Sequence, residues 1–164
     1  NMFFLGCHMV DLVLLTQGVP DRIIALNKSS GIDGISALDH GFAVFEYENG
    51  ISTVRATLTE CIGFNRRQLV VCGDRGVIKI NPLEDSNGAP STQLSISFDR
   101  KFRGEYATRQ FPEAAGRYDT MVLEFAEIVK GNKANPFTYE YELLMQKAVL
   151  AACGLPVEVT SVEL

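Results

Sequence analysis

Tryptophan is absent from the chain, and histidine occurs only at His8 and His40. A core without Trp falls to the ten Phe and the aliphatic residues. His40 has no companion ligand at metal-binding spacing, so the sequence gives no metal centre. Cysteine is sparse: Cys7, Cys61, Cys72 and Cys153, with no Cys-x-x-Cys and with small or apolar neighbours. That pattern reads as reduced thiols in a cytoplasmic chain rather than as a disulfide framework. Basic charge is not in excess, since the net charge is −5. A nucleic-acid or anionic-membrane surface needs a basic patch, and Arg66-Arg67 is too short to supply one. No apolar run reaches the ~20 residues that a membrane-spanning helix needs. Met2–Leu5 is apolar but lacks the basic start and cleavage site of a signal peptide. No Gly-x-Gly-x-x-Gly lies between a strand and a helix, and neither Gly-x-Ser-x-Gly nor a phosphate-binding loop is present.

What the sequence does hold begins at once. Gly6-Cys7-His8-Met9-Val10-Asp11-Leu12 opens an apolar helical pattern that runs to Gly18, with Pro20 just beyond as a stop. Residues three apart on a helix lie on one face, ~5–6 Å apart between Cβ atoms. His8 and Asp11 are therefore expected side by side, with Leu12, Leu15 and Val19 continuing the neighbouring stripe. An imidazole beside a carboxylate suits proton transfer, because the carboxylate sets its tautomer and charge. The same spacing also fits a histidine buried in a core. Asn1 leads into this helix without a capping residue, which reads like a segment cut from a longer protein.

The chain then alternates. Val19–Asn27, Gly41–Tyr47, Ile51–Glu60, Gln68–Cys72, Val77–Asn81 and Gln93–Phe98 are expected strands. Glu48-Asn49-Gly50 and Gly73-Asp74-Arg75-Gly76 are the turns between neighbours. In Ile51–Glu60, Val54, Ala56 and Leu58 share an apolar face, opposite Ile51, Thr53, Arg55, Thr57 and Thr59. Lys28–Ile35 and Leu83–Thr92 read as loops, and Lys101–Gly116 as irregular. Two helices follow. Tyr118–Lys130 carries Tyr118, Met121, Val122, Phe125, Ile128 and Val129 on one stripe, expected to be core, and Gly131 closes it. Tyr139–Cys153 presents Leu143, Leu144, Lys147, Val149, Leu150 and Ala151 and ends at Gly154. Pro156–Leu164 is either a last strand or a frayed tail.

A helix, a run of strands joined by short turns and two closing helices predict a single α+β domain over residues 1–164. Its sheet is expected to be mostly antiparallel or mixed and open, with the helices on one face. Three helices cannot cover both faces, and an uncovered semi-apolar face predicts self-association.

Four stretches, in order, resemble one enzyme family. Gly6-Cys7-His8-Met9-Val10-Asp11-Leu12 is similar to the Gly-x-His-x-x-Asp-Leu segment of the glucose–fructose oxidoreductase, inositol dehydrogenase and rhizopine-catabolism (Gfo/Idh/MocA) oxidoreductases. Glu48-Asn49-Gly50 with its following strand resembles that family's Asn-Gly hairpin. Val70-Val71-Cys72-Gly73-Asp74-Arg75-Gly76-Val77-Ile78 resembles its Gly-x-x-Gly hairpin, and Tyr118–Gly131, Phe137 and the closing helix resemble its C-terminal end. The resemblance implies a C-terminal domain of the dihydrodipicolinate-reductase-like or glyceraldehyde-3-phosphate-dehydrogenase-like kind. Such a domain binds substrate and forms homo-oligomers through its open sheet face. It implies a Rossmann domain elsewhere that holds NAD or NADP, none of it bound by this stretch, and a sugar or polyol substrate. It assigns proton transfer to His8 and a substrate contact to Asp11, completed by a Lys of a Glu-Lys-Pro motif. Phe4 departs from the pattern, since many members carry Asp four residues before the His. Three readings follow: the C-terminal domain of an NAD(P)-dependent oxidoreductase, a non-catalytic sheet-mediated dimerisation module, or an unrelated α+β domain with a core histidine.

Overall fold

The computed structural model describes residues 1–83, 93–98, 107–110 and 118–159. In chain order its elements are α1 (Cys7–Gln17), β1 (Arg22–Ala25), β2 (His40–Tyr47), β3 (Gly50–Thr57), β4 (Leu69–Cys72), β5 (Val77–Ile80), β6 (Gln93–Ser97), β7 (Ala107–Gln110), α2 (Asp119–Val129) and α3 (Tyr139–Ala152). A π-helical turn, Met2–Gly6, precedes α1. The class is α+β, as the order of patterns predicts, and every described strand pair is antiparallel. The described strands form two sheets rather than one, β1-β2-β3 and β4-β5-β6-β7. The chain divides into two compact units, Asn1–Glu60 with Asn135–Leu164, and Cys61–Ala134.

The first unit holds the core. Alternation along β2 buries Gly41, Ala43 and Phe45 on one face. The register sets Ala43 opposite Val54 and Phe45 opposite Ser52. Phe45 and Ala43 are fully buried, and Val54 nearly so. Onto this face pack Val10, Val13 and Leu14 of α1 and Leu144, Ala148, Val149 and Ala152 of α3. Burying a ring such as that of Phe45 contributes about 1.5–3 kcal/mol. The core stripe of α1 falls on Val10, Val13 and Leu14, and Leu15, on the stripe neighbouring His8 and Asp11, is exposed. Leu143 is likewise exposed, and Ala148 takes the core place on α3. Asn27 ties the layers together: its amide nitrogen donates to the Ala152 carbonyl at 2.9 Å, and its oxygen accepts from Phe42 N–H at 3.0 Å.

The second unit holds the four-stranded meander. Gly73 N–H donates to the Gly76 carbonyl at 2.8 Å and closes the predicted β4–β5 turn. β7 lies inside the stretch expected to be irregular. Its sequence, Ala107-Thr108-Arg109-Gln110, has no apolar alternation, and its pairing with β6 is a matter of backbone bonds. The apolar stripe of α2 corrects a second expectation. Tyr118, Met121, Val122, Phe125 and Val129 are exposed, Phe125 to 66% and Val129 to 70%. Helical spacing decides which side chains share a stripe, and says nothing of what covers it. Residues 84–92 of the expected loop lie outside the described residues. So do 160–164 of the C-terminal stretch, and 156–159 carry no regular structure.

Gly6 sits where the π turn meets the sheet. A Cβ added there would lie 2.3 Å from Met2 Sδ. Met2 is itself 3% exposed and lies against Gly41, where an added Cβ would meet its Cε at 3.2 Å. Gly6→Ala gains helix propensity but forces Met2 out of a filled site. It is expected to cost about 1–3 kcal/mol, the usual price of overpacking. Thermal unfolding checks this: a fall of several degrees in Tm is expected, and an unchanged or raised Tm would mean that Met2 yields freely.

Candidate functional site

The π turn presents the first residues of α1. The Asn1 carbonyl accepts from the N–H groups of Phe4, Leu5 and Gly6 at 3.2, 3.0 and 3.4 Å. The Asn1 side chain, in turn, donates to the carbonyls of Asp39 and Ala56 at 3.1 and 2.6 Å. The start of α1 is thus pinned to β3 and to the loop before β2. Single π turns recur at functional sites because they re-aim the side chains that follow.

A pocket of about 280 Å³ opens between the start of α1 and the start of α3. Cys7, His8 and Asp11 line one wall; Phe137, Tyr141, Glu142 and Met145 line the other. The three-residue spacing does bring His8 and Asp11 to one site. His8 is exposed, which removes the core-histidine reading. The two do not pair, however. Asp11, half-buried, accepts a hydrogen bond from the Tyr141 hydroxyl across 130 positions of sequence. His8 makes no hydrogen bond or ion pair among the described residues, so its imidazole stands open to the pocket.

Tyr141 was not legible as a site residue, because nothing in sequence relates it to Asp11. Its placement has local causes. Thr138 caps α3, its hydroxyl oxygen accepting from Tyr141 N–H at 3.2 Å. The Phe137 ring lies against the Tyr141 ring with centroids 5.8 Å apart, tilted by 48°. Burial raises the phenol's pKa above its ordinary value. The hydrogen bond to Asp11 and the negative charges of Asp11 and Glu142 push the same way.

The remaining candidates lie elsewhere. His40 Nε2 is 3.0 Å from Thr59 Oγ1, away from the pocket. The four cysteines are free thiols, and burial raises Cys153. Phe4 is 78% exposed. Among the described residues no group of three His, Cys, Asp or Glu side chains is arranged to hold a metal, and no helix is long and apolar enough to cross a membrane.

No family model matches the chain, and no curated protein does. Solved structures do. The chain superposes with a TM-score of 0.71 on a "putative oxidoreductase from Klebsiella pneumoniae", at 19% identity over 98% of this chain and 50% of that one. For a "putative nadph-dependent oxidoreductase" of Desulfitobacterium hafniense the TM-score is 0.67, at 16% identity over 92% of this chain and 44% of the other. For an oxidoreductase from Bacillus cereus it is 0.64, at 14% identity over 98% and 59%. The chain spans about half the length of these structures and shares their fold over that half.

The raised phenol of Tyr141 has a consequence for stability. A tyrosine whose pKa is higher folded than unfolded holds its proton more tightly in the fold. Its contribution is complete below the unfolded value of about 10 and is lost as pH rises beyond it. Tyr47 shares the direction through burial, so the comparison must isolate Tyr141. Phenolate absorbance titration of Tyr141→Phe is expected to lack one step above the ordinary tyrosine range. Loss of a step within the ordinary tyrosine range instead would place the Tyr141 hydroxyl in open water.

Proposed function

We propose that the chain is the C-terminal, substrate-binding and oligomerisation domain of an NAD(P)-dependent oxidoreductase of the Gfo/Idh/MocA type, acting in the cytoplasm on a sugar, polyol or related hydroxy compound. One observation carries the reading. The His-x-x-Asp segment resembling that family's lies on the wall of a pocket, in a fold shared with about half the length of chains described as oxidoreductases. His8 is open to the pocket, has no hydrogen-bond or ion-pair partner among the described residues, and carries a side chain that can both take and give a proton. Its part is a proton: it takes one from a substrate hydroxyl as the carbon is oxidised, and returns it in the reverse direction. Asp11 contacts the substrate from the next turn of α1.

The described residues include no glycine-rich turn from a strand into a helix that could cradle a pyrophosphate. The described residues by themselves therefore do not fit NAD or NADP. In this reading the dinucleotide and the Lys of Glu-Lys-Pro belong to a Rossmann domain of a longer protein.

The face of β1-β2-β3 opposite the core supplies the oligomer contact. Phe42 and Val44 are half-buried there, and Ile51 is exposed. A second reading, a sheet-mediated dimerisation module without chemistry, is favoured by Phe4, which puts an exposed ring where the family pattern has a carboxylate.

Three measurements test the proposal. In the longer enzyme, His8→Ala is expected to lower kcat by about 10²–10⁴-fold, the usual contribution of a positioned acid–base group. Its Tm should hardly move, because an exposed side chain supports little core. Near-normal turnover would remove His8 from the chemistry and favour the second reading. Calorimetric titration of the isolated chain with NADH is expected to give no saturable heat, and micromolar binding would overturn the division of labour. Sedimentation velocity at tens of micromolar should show self-association, and a concentration-independent monomer would count against the sheet interface.

A further inference from the structure

The Asp11–Tyr141 bond is more than the packing of α1 on α3 requires. Beneath it, Val10, Val13 and Leu14 already meet Leu144, Ala148 and Val149 in the core. A hydrogen bond to a charged group adds to stability, but less when the pair is partly exposed. The bond also sits at an unfavourable place for a structural tie. Asp is a poor residue inside a helix, and this one faces a pocket rather than a core. Three features hold the tyrosine for it: the Thr138 cap, the Phe137 ring and partial burial. Tyr141 engages Asp11 Oδ1, and Oδ2 has no protein partner among the described residues.

We propose that Tyr141 is a positioning residue: its hydroxyl fixes the Asp11 carboxylate so that the second oxygen accepts a hydrogen bond from a hydroxyl group of the ligand. The inference rests on the pocket being the substrate site and names what orients one of its walls. It also sets a charge preference. Among the described residues Asp11 and Glu142 line the pocket and no Lys or Arg does, so neutral, donor-rich groups are accepted and phosphate or carboxylate groups are repelled. Phe4 leaves no carboxylate on the turn before His8. The Tyr141–Asp11 pair holds a carboxylate on the turn after it instead.

The test uses this chain and a neutral probe, D-sorbitol, followed by NMR chemical shifts. Saturable shifts confined to the pocket residues are expected in the wild type, with weaker binding of sorbitol 6-phosphate. Tyr141→Phe is expected to weaken sorbitol binding about tenfold, the worth of one lost hydrogen bond, with little change in Tm. Asp11→Asn should weaken it at least as much. The double variant should bind no worse than Asp11→Asn, because Tyr141 acts only through Asp11. The proposal is overturned by absence of saturable shifts, by wild-type affinity in Tyr141→Phe, by additive losses in the double variant, or by a Tm loss that accounts for the affinity loss. Tighter binding of sorbitol 6-phosphate would overturn the charge preference. Failure here is separable from failure of the acid–base reading. Tyr141-dependent sorbitol binding with normal turnover in His8→Ala overturns only the latter. Lost turnover in His8→Ala with Tyr141-independent binding overturns only the former.

Discussion

Everything at the pocket depends on one face of a three-stranded sheet. Gly41, Ala43 and Phe45 on β2 and Val54 on β3 form a surface small enough in places for close approach and large enough at Phe45 to fill the space between two helices. α1 comes from the start of the chain and α3 from near its end. They share that face, so their first turns converge and open a pocket. The packing is non-local, which is why a wall of the site can be assembled from residues 130 positions apart.

The start of α1 is also the tightest place in the unit. Met2 is buried over Gly6 and Gly41, and the Asn1 side chain reaches two backbone carbonyls. The π turn Met2–Gly6 leads from this packing into α1. On α1, Val10, Val13 and Leu14 face the core, Leu15 is exposed, and His8 stands at the pocket. Packing and site geometry are here one constraint. Asp11 is caught between them: it lies on a core-bound helix, yet its carboxylate is engaged from across the pocket by a capped and stacked tyrosine.

Much of the fold was legible in the sequence because local chemistry decides it. Alternation marked β2 and β3, and the expected split of β3 into a Val54 face and an exposed Ile51, Thr53 and Arg55 face is what the burial follows. Gly18 and Gly154 end their helices with positive φ, as their positions predicted. β7 was not legible, because Ala107–Gln110 joins the sheet by backbone bonds and carries no apolar pattern. The α2 stripe was read correctly as a stripe and wrongly as core, since periodicity carries no information about a partner surface.

The sequence by itself determined the α+β class, the antiparallel pairing through short turns, the helix ends and the presence of His8 and Asp11 on one helix face. These follow from the period of side chains and from glycine and proline, all of which act over a few residues. Only the tertiary structure decided that His8 stands open and that Asp11 is held by Tyr141. Both depend on the distance and phase between two helices brought together by a shared sheet, and a linear chain encodes that only through its packing.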